Sequence, residues 1–192
     1  MRNPIRLKNL SWRLAPYYAL GLTALAFARP DWALFAVGLA PVVAGAALRT
    51  WGTGHLVKNE RFTVTGPYAY LRHPLYAGTI LVAVGFAIML GGVASLLALA
   101  IVLPWFALHY LPRKERVESR RLEDRYGEAY LRYREAVPAL WPSPRPFRAT
   151  AVAPASAAVR WSAACYDANN EQGTLLAVVL GVCCVALRIA WL

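Results

Sequence analysis

A chain of 192 residues is long enough for one ordinary domain, and its 16% charged and 58% hydrophobic residues are far from a soluble composition, which carries about 25% charge. The net charge of +11, from 21 basic against 10 acidic residues, would suit nucleic acid or an anionic membrane surface. The basic residues lie between long apolar runs, and the mean hydropathy is +0.39, which excludes a nucleic-acid partner and favours membrane lipids.

The charge-free runs predict five helical spans, since lipid leaves no partner for a backbone group outside its own segment. The first is expected near 14–28. It is short for a hydrocarbon core of about 30 Å, with Trp12 and Trp32 at the interfaces and flanking arginines able to snorkel. Ala26-Phe27-Ala28 also resembles a signal-peptidase site, but the charge bias needs this segment as a span. The second span is expected near 32–48. The uncharged run from His73 to Pro112 is too long for one crossing, and Gly91-Gly92 is a turn signal. It therefore reads as a hairpin of spans near 74–90 and 93–111.

Beyond it, 113–137 reads as a cytoplasmic amphipathic helix. Val117, Leu122, Tyr126, Tyr130, Tyr133 and Val137 make one stripe, on a single helix or on two broken at Gly127. The same pattern would suit a helix lying on anionic lipid. Pro138, Pro142, Pro144 and Pro146 end it. A small-residue linker follows over 149–158, and the apolar run from Gln172 to Leu187 is the last span. The chain thus divides into a membrane-embedded core over 1–148 and a linker with a C-terminal transmembrane helix over 149–192.

The cysteines are Cys165, Cys183 and Cys184. This is a poor disulfide framework, and no CxxC pair or Cys/His cluster suggests a metal. Cys183 and Cys184 read as small apolar residues within a span, and Cys165 as a candidate for acylation near the surface. With the N-terminus inside, Met1–Arg13, Arg49–Arg72 and Arg113–Gln172 share one side. They hold 4, 4 and 11 basic residues, 19 of the 21. The positive-inside rule then places the N-terminus and those segments in the cytoplasm.

Chemistry concentrates in the stretch from Gly66 to Gly78, which sets Arg72, His73 and three tyrosines at the mouth of a span. Pro67 and Pro74 hold the backbone out of a helix until the span begins, and Pro74 suits its first turn. The free N–H groups and positive dipole end there could hold a carboxylate, as of an amino-acid-like cofactor. An interfacial belt of Tyr and Arg without ligand is the alternative. Glu118 is a second candidate, for a ribose or a charged amine, unless it is a solvated partner of Arg120 or Arg121. His55, after Gly52-Thr53-Gly54, lacks the context of a nucleotide fingerprint. His109 is either a cavity-lining residue or an interhelical hydrogen-bonder.

Two blocks together resemble the isoprenylcysteine carboxyl methyltransferase and phospholipid methyltransferase superfamily. The first runs from Ala47 to Gly78 and contains Gly66-Pro67-Tyr68-x-Tyr70-x-Arg72-His73-Pro74-x-Tyr76-x-Gly78. The second comprises Glu118, Leu122, Tyr126, Gly127, Tyr130, Tyr133, Val137 and Pro138. The resemblance implies an all-α polytopic membrane enzyme binding S-adenosylmethionine in a cytoplasmic pocket, with a lipophilic methyl acceptor drawn from the bilayer. It implies that Tyr70, Leu71, Arg72, His73, Pro74, Glu118, Tyr126 and Tyr130 bind the cofactor and that Arg72, His73 and Glu118 serve catalysis. Ser119 stands where the family has a second acid. Ala136 stands where eukaryotic carboxyl methyltransferases commonly have Arg, which brings phospholipid N-methylation forward as an alternative. An NADPH-dependent membrane reductase and a non-catalytic membrane protein are the remaining readings.

Overall fold

The computed structural model describes residues 28–57, 62–148 and 160–192. Apart from Ala28, the expected first span lies outside them, as does the small-residue linker. Every element among the described residues is helical: α1 (Trp32–His55), a 3-10 turn (Gly66–Ala69), α2 (Pro74–Leu90), α3 (Gly92–Trp105), a π-helical turn (Phe106–Tyr110), α4 (Leu111–Tyr126), α5 (Glu128–Ala136), α6 (Ala163–Ala168) and α7 (Glu171–Ala190). The chain is an all-α integral membrane protein. Helix α1, the rod Ser95–Tyr126 and α7 are each long and apolar enough to cross a bilayer. Helix α2, at 17 residues, is about 25 Å long at 1.5 Å per residue. Large apolar side chains such as Val93 and Ile101 stand more than two-thirds exposed, as expected where lipid is the solvent.

Local signals account for the ends. Asp31 caps α1 by accepting from the Leu34 N–H at 2.8 Å, satisfying one orphan donor. Pro74 occupies the first turn of α2, where its missing N–H costs nothing. Gly91 and Gly92, at φ 63° and 75°, turn α2 into α3 through a conformation that a side chain would strain. The expected boundary between a span at 93–111 and a helix at 113–137 is instead one helical path. Pro112 has no N–H for the Leu108 carbonyl, and a π turn, in which the Leu111 N–H reaches the Phe106 carbonyl, lies just ahead of it. The path breaks at Gly127, φ 51°, so the stripe lies on two helices.

Glycines set how closely α1 and α2 approach. A Cβ on Gly45 would sit 2.5 Å from the Gly78 carbonyl oxygen, and one on Gly85 would sit 2.6 Å from that of Gly38. Backbone-to-backbone contact of this kind maximises packing where no hydrophobic force drives helices together. Val42, Met89 and Val185 then close a core between α1, α2 and α7, flanked by Phe35 and Phe86. The other end of α7 is held by polar groups. Glu171 accepts from Arg49 Nε at 2.7 Å and Nη2 at 2.9 Å, while Arg49 Nη1 donates to Thr79 at 2.6 Å. Just before it, Trp161 Nε1 donates to the Thr50 carbonyl at 3.2 Å, and Asn169 donates to the carbonyls of Thr53 at 2.9 Å and Leu56 at 2.8 Å. The C-terminal segment is thereby fastened to the end of α1 that meets the start of α2.

Candidate functional site at the entrance to α2

The loop between α1 and α2 folds over the end of α1. Gly66, at φ 61°, lies against the His55 ring, where a Cβ would come within 2.7 Å. His55 itself is buried, with Nδ1 2.9 Å from the Trp51 carbonyl. The preceding glycines are packing positions: Gly52 faces Leu75 and Pro74, and Gly54 faces the Trp161 indole. From Ala69 to His73 the backbone is strapped to the proline-rich segment after α5. Arg72 N–H donates to Pro138 at 2.9 Å and His73 N–H to Ala139 at 3.0 Å, while Ser143 and Phe147 N–H donate to Tyr70 and Ala69, each at 2.8 Å.

Side chains close the same junction. Tyr133 donates its hydroxyl to the Tyr68 carbonyl at 2.7 Å. Phe62 packs among Tyr126, Tyr130 and Tyr133, with ring centroids 5.2, 5.8 and 5.1 Å away, joined by Val64 and Val137. Ser119 is buried, with its hydroxyl 2.6 Å from that of Tyr130. Ser119 thus ties α4 to α5 across the Gly127 break.

Arg72 Nη1 lies 2.5 Å from Glu115 Oε1, an ion pair without hydrogen-bond alignment. Arg72 Nε and His73 Nε2 are buried and have no hydrogen-bond partner among the described residues. Buried polar atoms are nearly always satisfied, so two orphans on adjacent residues point to a polar ligand. Burial pushes the His73 imidazole below its ordinary 6.5, with Glu115 opposing and Arg72 assisting; it is neutral near pH 7. Glu118 lies beyond the charge-free run that ends at Pro112. Burial raises its carboxyl, against Lys114 and Arg121 and with help from Glu115. Its charge is felt at Tyr68, whose hydroxyl burial first and Glu118 second push up.

Arg72, His73 and Pro74 therefore meet at the first turn of α2, with Glu115 opposite and Glu118 on the same helix. Leu71 is buried. Tyr70 turns toward Trp51, with centroids 6.4 Å apart. Tyr126 and Tyr130 lie in the aromatic cluster behind the loop. Glu115 is the contributor that sequence reasoning passed over, while Ser119 and Tyr133, noted there as a departure and a stripe residue, bond Tyr130 and the Tyr68 carbonyl. Glu115 stands one turn before Glu118, a spacing that would have placed both carboxylates on one face. Among the described residues two hollows open elsewhere, and neither includes Tyr70–Pro74 in its lining. One, of about 640 Å³, is an apolar cleft between α1 and α7; the other, of about 490 Å³, lies along the π turn and α4. The candidate site rests on orphaned buried nitrogens, which are a more specific sign of a ligand than volume.

A profile of the family described as phospholipid methyltransferase matches residues 32–129, from the start of α1 into α5. The chain belongs to that family. Its matched stretch contains the loop, the α2 entrance and the Glu115–Glu118 helix. Curated relatives include the protein-S-isoprenylcysteine O-methyltransferase of Schizosaccharomyces pombe, 33% identical over 44% of this chain and 36% of the relative. The protein-S-isoprenylcysteine O-methyltransferase B of Arabidopsis thaliana is 29% identical over 57% and 60%. The cobalt-zinc-cadmium resistance protein CzcN of Cupriavidus metallidurans is 30% identical over 68% and 62%. The chain thus spans 36 to 62% of the length of these relatives. No solved structure matches it.

Proposed function

We propose that the chain transfers a methyl group from S-adenosylmethionine to a lipophilic acceptor at the cytoplasmic membrane face. The reading is carried by the two buried, unpartnered nitrogens, Arg72 Nε and His73 Nε2, in a family of methyltransferases. The residues fit the cofactor's polar groups. Two donors beside an open helix N-terminus suit its carboxylate, and Glu118 suits its amino group or ribose. When bound, S-adenosylmethionine would supply a sulfonium methyl carbon open to in-line attack by an acceptor lone pair, with the neutral thioether as leaving group.

What the protein adds is placement. Arg72 is held by Glu115, and its backbone by Pro138, so the guanidinium is fixed before any ligand arrives. Orientation of this kind is worth about 7–11 kcal/mol of a barrier. Tyr126 and Tyr130 hold the junction of loop, α4 and α5 together through Phe62.

The names of two relatives favour an isoprenylcysteine-type carboxylate acceptor, which needs alignment and no proton removal. Phospholipid N-methylation is the second reading. The family's name favours it; an ammonium acceptor must first lose a proton, and Glu118 or His73 would be the nearby base. Incubating the purified protein with labelled S-adenosylmethionine and a total membrane lipid extract, then identifying the product by mass, separates the two. His73→Ala should abolish turnover and cofactor binding; full activity in that variant defeats the site. S-adenosylmethionine should raise the melting temperature in detergent and NADPH should not. A shift with NADPH alone indicates a reductase, and a shift with neither a non-catalytic protein.

A further inference from the structure

Helix α4 sorts its charges by side. Glu115 meets Arg72, and Glu118 is half-buried and acts electrostatically on Tyr68. Arg113, Arg116 and Arg120 stand exposed and, with His109, Leu108, Pro112 and Val117, line a hollow of about 490 Å³. Their spacing, 109–113–116–120, is that of one helical stripe. No acidic residue lines the hollow, and none of the three arginines has an ion pair among the described residues. The stripe starts where the apolar run of the α3–α4 rod ends. Leu108, 70% exposed, lies on its membrane side and Val117, 49% exposed, further along.

We propose that this hollow binds the headgroup of an anionic phospholipid in the leaflet that faces the site. Arginine forks fit phosphate oxygens better than they fit water, and basic residues at the end of a span draw anionic lipid to the surface. Leu108 would lie against the glycerol and upper acyl region, and the arginines would reach the phosphate. A soluble polyanion would not need the apolar side chains, and the position at the end of the apolar run favours lipid over it. The inference rests on α3 crossing the bilayer and is independent of methyl transfer.

The full chain in nanodiscs of phosphatidylcholine, titrated with fluorescent phosphatidylglycerol, tests it. The triple variant Arg113→Gln, Arg116→Gln, Arg120→Gln should bind about tenfold or more weakly. A charge-matched control at exposed positions, Arg134→Gln, Arg145→Gln, Arg148→Gln, should bind as the parent does. Inorganic phosphate should not compete. Equal loss in both triples makes the effect one of net charge and overturns the site. Competition by phosphate at concentrations comparable to the lipid makes it a soluble-anion site and overturns it as well. A photoreactive phosphatidylglycerol on the unmodified protein needs no variant to fold: crosslinks within 108–120 support the site, and crosslinks elsewhere alone overturn it.

Discussion

At His73, burial and the Glu115 charge act in opposite directions, and burial, assisted by Arg72, wins. The shift has a consequence for stability. The unfolded chain takes up a proton near pH 6.5, while the native imidazole resists it until a lower pH. The favourable contribution is therefore complete above 6.5 and shrinks as pH falls through the lowered native value, because the unfolded state then binds more protons. Melting temperatures measured in detergent across that range should drop more steeply for the parent than for His73→Gln, which has no such proton to bind. Identical slopes would mean that the ring is not buried. The place of His73 at the start of a helix was legible in the sequence because Pro74 follows it. The Arg72–Glu115 pair was not, since two residues so far apart in sequence meet only once the loop has docked on α4. Ser119 likewise read as a missing acid until its hydroxyl was found on Tyr130.

Between elements, close approach and polar fastening divide the labour. The glycine contacts of α1 with α2 involve main-chain oxygen, which cannot swing aside. Gly45→Leu should cost about 1–3 kcal/mol or more by overpacking, read as a lower melting temperature. Gly173→Ala, whose new Cβ meets only Asn170 Nδ2 at 3.8 Å, should be neutral or slightly stabilising by helix propensity. A comparable drop in both would place the strain elsewhere. Glu171→Ala leaves Arg49 buried without its carboxylate. Side-chain exposures of 17% and 6% put the pair in the regime where breaking one partner costs about 3–5 kcal/mol. Loss of the α7 anchor should then appear as faster proteolysis between α5 and α7; protection equal to the parent would show that the pair is dispensable. Hydropathy announced the apolar helices, but not this anchor, because an acid at the start of an apolar run reads as an interface residue. Register between helices escaped notice too: glycines seven residues apart on two helices mean little until the helices are seen side by side.

For the molecule as a whole, the ends that form the site all lie on one side: the His55 end of α1, the Pro74 end of α2, Glu171 of α7 and the α4–α5 arm. The Gly91 turn and Arg188 lie at the opposite ends of their helices. The segments on the site side carry nearly all the basic residues, and by the positive-inside rule we propose that the site faces the cytoplasm. Single cysteines introduced into a variant lacking Cys165, Cys183 and Cys184 test this directly. Val93→Cys, at the exposed turn, should react with a membrane-impermeant maleimide on intact cells. Glu128→Cys, on the α4–α5 arm, should react only after the membrane is opened. The reverse pattern would turn the molecule over. A cytoplasmic cofactor could then not reach Arg72 and His73, so the methyl-transfer reading would fail even if every contact around the site were intact.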